Sequence, residues 1–156
     1  MPYHLAQLNV GYAVAPLDDP VMADFMDNLV RINQLGSETP GFVWQMVNDS
    51  GDSTSFRFDN DADMLINMTV WESIEALYDF AYKSEHVDYF RRRREWFVKM
   101  DRPYLVLWWV PAGHQPTLAE AAKRLAHLEA HGPTPYAFTF KQRFMVEDLL
   151  RTNSAP

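Results

Sequence analysis

Hydrophobic and polar positions run along this chain in two rhythms, and the changes between them mark out its elements. Tyr3 to Val14 has a period of two and reads as a first strand. Leu5, Gln7 and Asn9 share one face of it; Ala6, Leu8, Val10 and Tyr12 share the other. Asp19-Pro20 reads as an N-cap with Pro at the first helical position. Val21, Phe25, Leu29 and Ile32 follow at helical spacing, and Gly36 is expected to end that helix at C′. Gly41 to Asn48 returns to period two, with Phe42, Trp44 and Met46 expected on one face of a second strand. Asp49 to Asp61, rich in Asp, Ser, Asn and Gly, is a loop or wide hairpin carrying Phe56 and Phe58; whether it closes over a site is left open.

Asp63 to Trp71 is a third strand. Ser73 caps a helix with Ile74, Leu77, Tyr78 and Ala81 on one side, and Ser84 caps a continuation to about Met100, with a break near Lys83. Pro103 to Pro111 is a fourth strand, apolar on both faces and so expected to be central and covered on both sides. Thr117-Leu118-Ala119-Glu120 is a capping box, Leu118, Leu125 and Leu128 form a stripe, and His131-Gly132-Pro133 stops the helix. Tyr136 to Phe140 is expected as a short fifth strand. The order implies an α+β fold: a single domain over residues 1–156, built as a ferredoxin-like β-α-β-β-α-β unit with a C-terminal helix and strand added over 117–140. Helices on one face of four strands leave the other face bare. A homodimer closing an α/β barrel is therefore expected.

The composition narrows the function. At 156 residues, with 47% hydrophobic and 22% charged positions, the chain can bury a core without staples. A net charge of −7 disfavours nucleic acid, and the only basic run is Arg91 to Arg94. With no Cys, there are no disulfides, thiolate nucleophiles or Cys-based metal sites. Met1 to Leu5 lacks the basic and apolar regions of a signal peptide, and no apolar stretch approaches the roughly 20 residues of a membrane span. A soluble cytoplasmic protein with no membrane partner is expected. No phosphate loop, dinucleotide fingerprint or nucleophile elbow is present. His127 and His131 have i, i+4 spacing but no acid at ligand spacing, so no metal site is expected.

Aromatic residues reach 14%, including five Trp and ten Phe, enough to line an apolar cavity as well as a core. At 100° per residue, His86, Tyr89, Arg93 and Trp96 fall on one arc of their helix, with Arg93 about 20° from His86 and Arg91 and Arg92 turned away. Arg93 has two readings: it anchors an acidic group of a ligand, or it pairs with Asp24 or Asp27. His86 is either a general base or a first-turn residue bonded to a neighbour. Trp71 is either a cavity wall or plain core. Asn9, on the face of a central strand, needs its amide satisfied, and a ligand is one way to do that.

The Trp71-Glu72-Ser73 strand end and the Ser84-Glu85-His86 helix start resemble the antibiotic-biosynthesis-monooxygenase superfamily of dimeric α+β barrels. The Asn67 to Ser73 stretch, the Phe90 to Phe97 helix and the Pro-Tyr-Leu-Val-Leu-Trp-Trp strand from Pro103 are similar to the DUF3291 family. The superfamily resemblance implies a site of Asn9, Trp71 and His86, as in members that oxidise polyphenolic polyketides or degrade haem. The implied activity is that of a small-molecule oxygenase working without metal or flavin on an aromatic or enolisable substrate. Trp44, Tyr89, Arg93 and Trp96 are the expected substrate-binding residues. Haem, with His86 as axial ligand, is the one cofactor the resemblance allows. The alternatives are a non-catalytic dimeric module that binds a small molecule or haem, and a cyclase or lyase using the same pocket.

Overall fold

The strand β1 (Tyr3–Gly11) lies at the centre of a four-stranded antiparallel sheet in the computed structural model, which describes residues 2–49, 51–58 and 61–154. On one side it pairs with β3 (Leu65–Trp71), beyond which lies β2 (Phe42–Gln45); on the other it pairs with β4 (Leu105–Pro111). The sheet order β2-β3-β1-β4, with helices joining β1 to β2 and β3 to β4, is that of a ferredoxin-like unit. Ser50, Asp59 and Asn60, which fall in the expected 49–61 loop, lie outside the described residues.

Register decides which side chains share a face. Leu5 lies opposite Trp71 and Trp109, Gln7 opposite Thr69 and Leu107, and Asn9 opposite Asn67 and Leu105. These residues form the first face of the sheet. Ala6, Leu8 and Val10 belong with Met68, Val70, Val106 and Trp108 on the second.

Asp19 caps a short 3-10 turn (Pro20–Met22), its carboxylate accepting from the Val21 N–H at 2.9 Å, and the chain continues into α1 (Ala23–Ser37). Gly36 does not end α1. It lies inside the helix, which is capped at Glu38, and a Cβ there would stand 3.2 Å from the Phe80 ring. Close helix packing, not C-capping, is what this glycine serves. Ser73 caps α2 (Ile74–Lys83), accepting from Ala76 N–H at 3.1 Å.

The expected continuation to Met100 is shorter and divided into α3 (His86–Arg91) and α4 (Arg93–Trp96). Its end has a local cause. Phe97 turns extended and bridges to Ala13, while Val98 N–H donates to Tyr12 and Val14 N–H donates to Trp96, at 2.8 Å each. The chain trades helical hydrogen bonds for pairing with the residues that follow β1. Among the described residues no helix is long and apolar enough to cross a membrane.

The second face of the sheet is not bare. Thr117 caps α5 (Leu118–His131), whose Ala121 and Leu128 pack on Val106, Trp108 and Val110; Met46, Phe58 and Met64 join the same cluster. Leu8, Met68 and Trp108 are fully buried within a single chain. An open second face, the physical reason for expecting a homodimer, is therefore absent.

The fifth strand reduces to a single bridge. Thr134 and Ala137 exchange hydrogen bonds in a tight turn, leaving only Phe138 to reach the β4 edge, where it exchanges bonds of 2.8 and 2.9 Å with Leu107. Beyond it lies a helix not among the expected elements, α6 (Val146–Ser154), with Val146, Leu149 and Leu150 at helical spacing. Its Leu149 joins Phe138, Leu107, Trp109 and Leu77 in the core of the first face. Asp148 caps it by accepting from Met145 N–H at 2.8 Å.

Candidate functional site

Between the first face of the sheet and the helices α1 to α4 lies a cavity of about 220 Å³. Its floor is polar. Gln7 and Asn9 come from β1, Gln45 from β2, and Asn67 and Thr69 from β3. Period two places 67, 69 and 71 on the same side of β3, so Asn67, Thr69 and the Trp71 indole face the helices together.

Thr69 Oγ1 organises this floor. It accepts from Gln7 Nε2 and from Trp71 Nε1, each at 2.9 Å. The Trp71 ring is stacked on Phe80 at 5.3 Å and meets Phe42 edge-on at 5.4 Å, so the indole is held on three sides. Next to it the floor is unsatisfied. Asn67 Oδ1 is buried without a hydrogen-bond partner, and the Asn9 amide across the strand pair has none among the described residues. Two neighbouring amides with spare capacity at the bottom of a cavity are suited to holding a polar group of a ligand.

His86 stands on the helix side, where Ser84 positions it. The Ser84 hydroxyl donates back to the Phe80 carbonyl and accepts from His86 N–H at 3.1 Å, which closes the break between α2 and α3. The imidazole lies 4.8 Å from the Phe80 ring, with Nδ1 3.3 Å from the Ala81 carbonyl. Nδ1 therefore carries the proton, and Nε2 is the acceptor. Burial pushes the imidazole below its ordinary pKa of 6.5, against the pull of the Ala81 carbonyl. The result is a neutral imidazole at the cavity wall, the form a general base requires.

Tyr89 and Trp96 also line the cavity, their rings stacked 6.1 Å apart; the Tyr89 hydroxyl accepts from Arg31 at 2.8 Å. Arg93 lines it too, with its guanidinium 3.9 Å from the centroid of Tyr104. Of the two acids expected as its alternative partners, Asp24 is bound instead by Arg92 at 2.8 Å, and Asp27 forms no ion pair with Arg93 among the described residues.

Trp44 is not at the cavity. Phe42 pairs with Trp71 but Trp44 pairs with Val70, because an extra residue, Val43, bulges from β2 between them. The bulge breaks the alternation and turns Trp44 and Met46 to the second face, leaving Phe42 and Gln45 on the first. The 49–61 loop reaches the rim, where Ser53 and Thr54 contribute to the lining. Asn33 of α1 donates to the Gly51 carbonyl at 3.0 Å, tying the loop across from the helix layer.

Sequence reasoning passed over Gln7, Asn67, Thr69 and Phe80. The first three were legible from the alternation that placed Asn9 and Trp71; Phe80 was not, since it reaches the cavity through contact with Gly36 of another helix. The cavity volume lies below the ~300–1,000 Å³ of sites for drug-sized ligands, and a porphyrin is bulkier than most of those. No group of three or more His, Cys, Asp or Glu able to hold a metal ion is found among the described residues.

No curated protein matches the chain. Among the solved structures similar to it are two monooxygenase-like proteins. One is a point mutant of SnoaB, a cofactor-independent oxygenase from Streptomyces nogalater, at 12% identity and TM-score 0.47, covering 72% of this chain and 95% of that one. The other is a putative antibiotic biosynthesis monooxygenase from Chloroflexus aurantiacus J-10-fl, at 18% identity and TM-score 0.44, covering 72% and 97%. Over residues 4–154 the match is to the model of a family described as a domain of unknown function, and the chain belongs to that family, DUF3291.

Proposed function

We propose that the protein is a small-molecule enzyme of the cofactor-independent oxygenase kind, acting on an aromatic or enolisable substrate bound between sheet and helices. The observation that carries this reading is the pairing of a neutral imidazole with an unsatisfied amide floor in one aromatic cavity. His86 Nε2 accepts a proton from the substrate's acidic C–H or O–H, and the negative charge spreads into the ring system. The Asn9 side-chain N–H donates to the developing oxyanion, and the unpartnered Asn67 Oδ1 accepts from a hydroxyl of the substrate. The electron-rich carbanion supplies the electrons that dioxygen takes up. Dioxygen adds to the carbanion to form a peroxide, which takes the proton from His86. His86 then removes the second C–H proton as the O–O bond breaks. That leaves C=O in the product and hydroxide, which takes that proton to become water. Trp71, Phe80 and Trp96 form the walls that orient the substrate plane.

A cyclase or lyase would use the same base and oxyanion donor without consuming O₂, and a binding module would use the walls alone. Oxygen uptake with an anthrone or a 1,3-diketone, measured on the wild type and on His86→Ala, separates the three. Uptake lost in the variant supports the oxygenase. Product without uptake moves the reading to cyclisation or elimination, and binding without product leaves a module.

A further inference from the structure

Arg93 differs from the arginines around it, Arg94 being exposed and the others ion-paired. Arg31 binds Glu85, Arg91 lies 4.0 Å from Asp88, and Arg92 holds Asp24 and Glu95, each at 2.8 Å. The Arg93 side chain has no acidic partner and no hydrogen bond among the described residues, in a chain with 21 acidic residues against 14 basic ones. It is half-buried in the cavity wall, over the Tyr104 ring at 3.9 Å and near the Phe90 ring at 5.8 Å. Stacking on ring faces orients the guanidinium plane without using its N–H donors. A guanidinium drawn out of water without a counter-charge is unfavourable, and an anion entering the cavity would supply that charge. Burial pulls its pKa down, which fits a cation held away from solvent.

His86 at the start of α3 and Arg93 at the start of α4 line the same cavity from consecutive helices. A single cation matches a single negative charge; a phosphate dianion would leave one charge uncompensated in an apolar site. We infer that the ligand of this cavity is an aromatic carboxylate small enough for a volume of about 220 Å³. Arg93 grips the carboxylate through two parallel N–H···O bonds, and the reactive edge lies toward His86 and the Asn9–Asn67 floor. This rests on the reading of the cavity as a small-molecule site.

The test is calorimetric titration with 2-naphthoate and with its neutral counterpart 2-naphthamide, on the wild type, Arg93→Met and Arg93→Lys. Charge-assisted bonds of about 1.5–3 kcal/mol correspond to a preference for naphthoate of about tenfold or more in the wild type. In Arg93→Met the preference should vanish while naphthamide affinity stays within about twofold, which also shows that the variant is folded. Arg93→Lys should keep part of the preference, since it retains the charge but not the fork. Equal affinities in the wild type, or a preference that survives in Arg93→Met, overturn the inference. Naphthamide binding keeps the two levels apart. If it binds without a preference for the acid, the anionic ligand falls and the small-molecule site stands; if the wild type binds neither, both fall.

Discussion

Replacing Thr69 by Val tests whether the cavity floor is held as described. Valine has nearly the same shape but no acceptor, so the change leaves both Trp71 Nε1–H and Gln7 Nε2–H without their partner. A buried donor left unpaired costs about 1–3 kcal/mol. Trp71 is 1% exposed, against 5% for Gln7, so its indole should bear the upper part of that range. Gln7, at 5%, lines the cavity, where water can re-pair its amide, and belongs at the lower end. Together these come to about 3–4 kcal/mol. The extra methyl that valine buries in place of the hydroxyl offsets about 1 kcal/mol, leaving a net loss of about 2–3. For a chain of this size that lowers Tm by about 5–10 °C. Urea unfolding followed by tryptophan fluorescence reads the loss directly as a shift in midpoint at constant slope. Thr69→Ser is the control: it keeps the oxygen, gives up one methyl, and should cost about 1 kcal/mol or less. A loss below about 1 kcal/mol in Thr69→Val, or an equal loss in Thr69→Ser, would show that the hydroxyl is not the organiser of the floor.

The remaining predictions concern the helix side and the connections. In NMR titration the His86 imidazole should titrate below 6.5 in the folded protein. Between that folded value and 6.5 the unfolded chain binds more protons, so stability should fall as pH drops through this window, and His86→Gln should flatten the dependence. Gly41→Ala should unfold earlier in a thermal scan, by about 1–3 kcal/mol for the backbone alone. The position has φ +90°, and a Cβ there would stand 2.5 Å from that of Ala76. Haem titration should give no stoichiometric Soret shift; one that disappears in His86→Ala would mean the cavity opens well beyond its present volume.

The sheet was legible because its strands keep a strict two-residue period, and the residues it places together follow from that period alone. Asn9, Asn67, Thr69 and Trp71 are one such set. Where the period breaks locally, the inference broke too. One extra residue at Val43 reversed the face of Trp44, and pairing of Phe97 with Ala13 ended a helix whose apolar spacing ran on to Met100. Non-local packing was the other blind spot. Nothing in the spacing of Leu118, Leu125 and Leu128 says which face of the sheet that stripe covers, and a single bridge at Phe138 leaves no period to read. His86, Tyr89, Arg93 and Trp96 reach the same cavity despite the break at Arg92, because the break preserves the angular position of the helix face.

The route of the C-terminal segment bears on how the chain is made. It lies on one face of the sheet as α5, touches the β4 edge at Phe138, and buries Leu149 on the other face. All four strands have been synthesised once Pro111 emerges, but their outer edge and parts of both faces wait for Leu149. At about 5–20 residues per second, that leaves the nascent sheet open for several seconds. During that interval the β4 edge, with Trp108 and Trp109 beside it, is a template for pairing with other chains. Chaperone dependence and aggregation during expression should therefore respond more sharply to changes at Phe138 and Leu149 than to changes in the cavity.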